Sequence, residues 1–202
     1  MMPSSIPVYI YVRDPTPAEK ENYDRCHKLL ADVGRRVFRR FLIHVLQKTG
    51  IRDLSSFLST HQMTLNSYRK RRIISKHELV KLFPNGQPAS ETSDWDLTLL
   101  GHVLTICCNL TAAESSAVDE IRSYRNSIIG HSTSLTLTDA YFKTTWDTIV
   151  SAIKVLVTSI NDETFKEDVD AKVESIRTPP TTRVTVSVPV VPQTIVRSAG
   201  ML

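Results

Sequence analysis

Ala117-Val118-Asp119-Glu120-Ile121-Arg122-Ser123-Tyr124-Arg125-Asn126-Ser127-Ile128-Ile129-Gly130-His131 is the stretch whose periodicity decides the fold. Ala117, Val118, Ile121, Tyr124, Ile128 and Ile129 recur at helical spacing, and at roughly 100° per residue Arg125 falls inside that apolar stripe. A guanidinium turned toward an apolar surface is costly unless an anion meets it, so the run from Arg125 to His131 is the leading functional candidate.

Outward from this helix, start and stop signals delimit further helices. Upstream, Thr111-Ala112-Ala113-Glu114 is a capping box that opens it, and Gly130 ends it. The segment Trp95 to Cys108, with Leu97, Leu99, Leu100, Val103, Leu104 and Ile106, predicts a buried central helix in which His102 is a hydrogen-bonded core residue rather than a catalyst. Downstream, Thr138 caps a long helix whose Phe142, Trp146, Ile149, Ile153, Leu156 and Ile160 make a heptad-like seam, for packing in the same chain or against a partner. Phe165, Val169, Val173 and Ile176 mark a weaker final helix between Asp162 and Arg177.

Nearer the start, Thr16-Pro17-Ala18-Glu19 combines a capping box with proline at the first helical position. The helix it opens carries Leu30, Val33, Val37, Phe41 and Val45 on one face and runs to Thr49-Gly50. Its polar side bears Arg35, Arg36, Arg39 and Arg40, read as a solvated face, with nucleic-acid contact as the lesser alternative. From Ile51 to Ile74 the pattern suggests short helices, one around Leu54, Phe57 and Leu58 and another around Leu65 and Tyr68. The second leads into Arg69-Lys70-Arg71-Arg72, a basic cluster beside an aromatic ring and the candidate RNA contact. Ser75-Lys76-His77-Glu78 is another capping box, Pro84-Asn85-Gly86 breaks the helix that follows, and a loop runs on to Ser93.

The chain divides into an N-terminal segment (1–15) with the extended-favouring Val8 to Val12, a helical domain (16–177), and a Pro/Thr/Val-rich tail (178–202) expected to be flexible or extended. The fold class is all-α, a helical bundle with a long first helix. With 202 residues, 41% of them hydrophobic, one substantial core is the expectation. A net charge of +4 and a pI near 9.0 suit contact with an anionic chain without the density of a dedicated duplex binder. Cys26, Cys107 and Cys108 include no CxxC pair, so neither a disulfide framework nor a structural zinc site is supported, and no metal or other cofactor is expected. No apolar run is long enough for a membrane span, and Ile6 to Val12 lacks the basic region of a secretory signal; the expectation is a soluble, cytoplasmic protein.

An arginine can hold a phosphate bidentately and a histidine near neutrality can move a proton, which suffices for metal-free attack of a ribose 2′-hydroxyl on its own phosphodiester. Asn126 can orient either group. On an ideal helix Arg125 and His131 point roughly 120° apart, so one copy makes an incomplete site and a twofold pairing of such helices would complete it. The plainer reading pairs Arg125 with Asp94, Asp96 or Asp119 and leaves His131 as a helix end.

The order Trp95-Asp96-Leu97-Thr98-Leu99-Leu100, then Ile121 to His131, then Thr138-Asp139, Phe142 and Trp146 resembles a HEPN domain, of the subtype found in DAZ-interacting zinc-finger E3 ubiquitin ligases and their invertebrate relatives. Leu29 to Val37, Lys70 to Ile74 and Leu82-Phe83-Pro84 are similar too, so the likeness runs from about Tyr23 to Ile160. The resemblance implies a bundle that commonly dimerises and, in many members, metal-independent endoribonuclease activity with a signature of Arg, four to six residues, and His. It would make Arg125 and His131 the catalytic pair, with Asn126 as the polar residue frequent after the arginine. Those ligases carry a cysteine-rich RING domain, which has no counterpart here, so ubiquitin transfer is not carried over. Three functions follow as expectations: an RNA-directed domain that cleaves single-stranded RNA as a homodimer, RNA binding without cleavage, marked by affinity that falls with salt and with neutralisation of Arg69 to Arg72, or a non-catalytic homodimerising adaptor module using the same helix face.

Overall fold

The computed structural model describes residues 14–130 and 135–178, and these are helical with short connections. The N-terminal segment with Val8 to Val12, the residue His131, and the tail beyond Thr178 lie outside the described residues. Among the described residues no helix is long and apolar enough to cross a membrane.

The first helix forms as its capping residues require. Helix α1 (Pro17–Lys28) starts at Thr16, whose backbone N–H donates to Glu19 Oε2 at 2.9 Å while the Glu19 N–H donates to Thr16 Oγ1. It continues through a π-helical stretch (Leu29–Gly34) into α2 (Arg35–Lys48), and Gly50 at φ +74° follows the end. The long first helix is therefore present, with wider winding in its middle. Gly34 sits where that winding meets its neighbours: a Cβ there would lie 3.2 Å from Leu97 Cδ1, so glycine sets how closely the helices approach. Leu29, Leu30, Val33, Val37, Phe38, Phe41 and Leu42 are buried along its inner face.

The short helices expected between Ile51 and Ile74 are instead one continuous helix, α3 (Leu54–Lys70), capped by Asp53 through the Ser56 N–H at 2.7 Å. No glycine or proline interrupts Leu54 to Lys70, and Leu58 and Leu65, seven residues apart, share the buried face. Helix α4 (Lys76–Leu82) opens on the Ser75/Glu78 capping box and stops before the 3₁₀ turn Pro84–Gly86. Helix α5 (Leu97–Cys107) begins two residues later than Trp95, because Asp96 is its N-cap and accepts from the Leu99 N–H at 2.9 Å. Trp95 is buried outside the helix and donates Nε1–H to the Lys81 carbonyl at 3.3 Å.

Helix α6 (Ala112–Arg125) opens on the Thr111/Glu114 capping box and passes into a second π-helical stretch, Asn126–Gly130. Helix α7 (Asp139–Ile160) starts at Thr138 and ends at Asn161 in the left-handed conformation, and α8 (Glu163–Arg177) starts at Asp162. Its four inward residues Phe165, Val169, Val173 and Ile176 are buried, so the helix expected to be weak is a full member of the bundle.

Helix α7 is the hub, packing on α1, α2, α6 and α8. Its seam residues Trp146, Ile149, Ile153, Leu156 and Ile160 are buried within this one chain. Helix α5 packs on α2, α3 and α6, and α6 forms antiparallel hairpins with α5 before it and α7 after it.

Candidate functional site

The α5–α6 hairpin decides where Arg125 points. Ala117, Val118 and Ile121 are buried at 3% or less and Ile128 at 1%, so the apolar stripe is real. Arg125 shares their side of the helix but is the last residue of α6, where the bundle ends, and its side chain remains 29% exposed. The guanidinium thus leaves the stripe at its edge instead of being enclosed by it. Its Nη1 donates to Asn126 Oδ1 at 3.2 Å, and its Nη2 lies 3.9 Å from Asp96 Oδ2. Among the three acids open to it, Asp96 is the partner because the antiparallel register sets the C-terminal turn of α6 beside the N-cap of α5.

About one turn back along α6, Arg122 crosses the same neighbour at Gly101. A Cβ on Gly101 would fall 2.8 Å from Arg122 Cγ and closer still to Cδ, so the absent side chain is what lets the arginine stem lie flat on α5. Arg122 Nη1 lies 3.2 Å from Asp119 Oδ1, and its Nε is buried without a hydrogen-bond partner, as is Thr98 Oγ1 on α5. Sequence reasoning missed Arg122 and Gly101: in the sequence one is an ordinary arginine of a helix and the other a glycine that weakens one.

Helix α1 holds the chain on the far side of the motif. Asn22 Nδ2 donates to the Leu137 carbonyl at 3.3 Å and to Asp139 Oδ1 at 2.8 Å, and the Leu137 N–H donates to the Glu19 carbonyl at 2.9 Å. Leu135 adopts φ +51° with its side chain 54% exposed. Ile128 and Leu137 are buried on either side of residues 131–134, which include His131 and lie outside the described residues. Because Asn126–Gly130 winds as a π-helix, the ideal phase of roughly 100° per residue does not hold over the residues that follow Arg125 up to Gly130.

The structure brings Arg125, Asn126 and Asp96 together, with Arg122 and Asp119 adjacent on α6. Arg69 to Arg72 form a separate place, at the end of α3 and the turn before α4, and no hydrogen bond or ion pair joins that turn to Arg125. None of the four has a carboxylate partner among the described residues, and Arg72 adopts φ +61°. The Arg71 guanidinium lies 5.0 Å from the centroid of the half-buried Tyr68 ring, so that ring face is already covered by a cation.

The remaining reactive groups are in structural roles. His102 Nδ1 lies 3.1 Å from Glu78 Oε1, tying α5 to α4 as a satisfied core histidine. Burial opposes ionisation of Glu78, but hydrogen bonds from His102 and from the Ser75 backbone and hydroxyl outweigh it and bring its carboxyl down to about 2. Burial pushes the thiols of Cys26, Cys107 and Cys108 up to about 12, Cys108 adding to the effect on Cys107, which leaves them protonated and poor nucleophiles near neutrality.

A family model described as DZIP3/hRUL138-like HEPN matches residues 51–177. No curated protein and no solved structure matches the chain. The matched span runs from within the α2–α3 connection through α8 and contains α5, α6 and the whole Arg125 to His131 run. It also covers more than half of the 202 residues. In its all-α architecture and in the sequence of its motif-bearing helices, the chain belongs to the DZIP3/hRUL138-like HEPN family.

Proposed function

We propose that this HEPN module is RNA-directed, that Arg125 holds a phosphate of single-stranded RNA, and that the module cleaves the strand without a metal as a homodimer. In that chemistry His131 takes the proton of the attacking 2′-hydroxyl and returns one to the leaving 5′-oxygen, while Arg125 stabilises the charge that grows on the phosphate oxygens. Asn126 orients the guanidinium. The cluster Arg69, Lys70, Arg71 and Arg72 adds backbone contacts away from the reacting bond.

The observation that carries the reading is how loosely Arg125 is held. Its side chain is 29% exposed, and its one carboxylate partner among the described residues, Asp96, is 3.9 Å away and itself 53% exposed. An exposed pair of this kind contributes about 0–1 kcal/mol, whereas a bidentate arginine–phosphate contact is among the stronger charge-assisted hydrogen bonds. A phosphate can therefore replace the aspartate at little cost.

The second reading is a non-catalytic assembly module. It draws on Leu135 and Tyr141, 54% and 46% exposed in the stretch that follows the motif, which are apolar surface that a second copy can cover. One experiment separates the two: labelled RNAs are incubated in chelator with wild type, Arg125→Ala and His131→Ala while oligomeric state is followed by light scattering. Cleavage lost in both variants with dimers retained is the expected result. A wild-type dimer that cleaves none of a varied set of RNAs leaves assembly as the function.

A further inference from the structure

Four arginines of α2 stand along one groove. Arg35, Arg36, Arg39 and Arg40, with Asp32 and Phe165, line a cleft of about 560 Å³ between α2 and α8. Two of them are engaged with α8. Arg36 is ion-paired with Asp168 and lies 5.3 Å from the centroid of the Phe165 ring, and Arg40 Nη2 lies 2.7 Å from Asp162 Oδ2. These contacts fix the wall of the groove.

The other two have no carboxylate within ion-pair distance among the described residues. Arg35 is exposed and makes no hydrogen bond or ion pair among the described residues. Arg39 donates to the carbonyls of Ser93 and Trp95, and its Nε is buried without an acceptor. The two are one helical turn apart, a like-charge spacing that destabilises a helix. Burial first, and the Arg35 charge second, hold the Arg39 guanidinium below the ordinary arginine value, with Asp94 acting the other way. Of the acids nearby, Asp162 and Asp168 are committed to Arg40 and Arg36, which leaves Asp32 and Asp94 against the Arg35–Arg39 pair.

Arg39 also joins this groove to the motif. It holds the Trp95 carbonyl at 3.3 Å, and the next residue, Asp96, meets Arg125. Bond lengths along that short connection limit the separation of the two guanidinium groups to about 15 Å. A path that crosses a helix end over so short a distance suits a flexible strand better than a stiff duplex. Ile43, 43% exposed beside the arginines, offers apolar contact to an unstacked base.

Building on the RNA-directed reading above, we infer that Arg35 and Arg39 are a second phosphate-contact segment, on a single-stranded RNA path that runs from Arg125 across Ser93–Asp96 into the α2–α8 groove.

The test is fluorescence anisotropy of a short labelled oligouridylate with the full chain, in chelator and across a salt series. Wild type, Arg35→Ala, Arg35→Lys and Arg125→Ala are compared, with thermal melts to verify folding; Arg35 has no hydrogen-bond or ion-pair partner to lose among the described residues, so its variants should melt no lower than wild type. Arg35→Ala is expected to weaken binding roughly threefold to tenfold and to lower the log–log salt slope by about 0.7, one phosphate contact on a single strand, and Arg35→Lys to keep most of that slope. Unchanged affinity and slope in Arg35→Ala, with Arg125→Ala impaired, overturns the groove and leaves the RNA reading standing. Absence of binding by wild type overturns both. Equal affinity for a duplex of the same length overturns the single-strand assignment.

Discussion

Replacing Gly101 with alanine should set two effects of similar size against each other. In an exposed helix interior, glycine to alanine stabilises by about 0.8–1.0 kcal/mol, because alanine loses less backbone entropy on folding. Here the new methyl would lie 2.8 Å from Arg122 Cγ and closer to Cδ, inside any ordinary contact distance. Those atoms are the middle of the side chain, so relief requires moving the whole arginine off α5. Overpacking of this kind costs about 1–3 kcal/mol. The net expectation for Gly101→Ala is thus destabilisation of about 0–2 kcal/mol, and the sign of the propensity effect is hidden.

Removing the arginine exposes it. In an Arg122→Ala background the three nearest atoms, all of the arginine side chain, are gone, so Gly101→Ala should stabilise by about 1 kcal/mol. The coupling between the two positions is then about 1–3 kcal/mol, well above the scatter of independent sites. Urea unfolding of the four proteins, followed by circular dichroism, measures it. If Gly101→Ala stabilises equally in both backgrounds, Arg122 does not rest on Gly101 and the packing account of the α5–α6 face is wrong. Because Arg122 precedes Arg125 by one turn on the same side of α6, the same displaced stem should also weaken RNA binding in Gly101→Ala.

Two further outcomes are open to direct measurement. The Glu78 carboxyl lies well below its unfolded value of 4.5, at about 2, so its contribution is complete above pH 4.5 and is lost as pH falls through about 2. With its side chain 17% exposed, that contribution is on the order of 3 kcal/mol at most. Subtracting the stability–pH curve of Glu78→Gln from that of wild type should leave a decline confined to this acid window; parallel curves would show that the His102 and Ser75 contacts do not hold the charge. For the α3–α4 turn, exchanging Arg69, Lys70, Arg71 and Arg72 for glutamine should lower the salt slope of RNA binding by up to about 3, and an unchanged slope would remove the cluster from the RNA path.

What could be read from the chain was whatever depends on neighbours in sequence. The capping boxes at Thr16/Glu19, Ser75/Glu78 and Thr111/Glu114 need only four consecutive residues, and each starts a helix where it stands. The seam from Trp146 to Ile160 likewise announces a face without naming its partner. Polar residues misled: Ser59 to Thr64 separate the two short helices expected around Leu58 and Leu65, yet both leucines are buried on one continuous helix that packs against α4 and α5. The two π-helical stretches have no local signature; in the first, Gly34 stands close against Leu97, a contact that no sequence neighbour announces. The same limit governs the site. Arg125 could be singled out by phase, but choosing Asp96 from three acids requires the register of an antiparallel hairpin, and no spacing within α6 encodes that.

The choice of Asp96 has a mechanical consequence. One oxygen of its carboxylate accepts the Leu99 N–H at 2.9 Å and caps α5; the other faces Arg125 at 3.9 Å. The cap bond is the shorter and does not involve the arginine, so release of the guanidinium to a phosphate leaves the start of α5 intact. An acid that only neutralised Arg125 would be left unpaired by the exchange; Asp96 retains a hydrogen bond and, being 53% exposed, water for its second oxygen. The aspartate can thus hold the guanidinium in place while the site is empty and yield it when an anion arrives, with no rearrangement of the bundle. It follows that Asp96→Asn, which keeps the cap acceptor but removes the competing charge, should bind RNA more tightly than wild type rather than less.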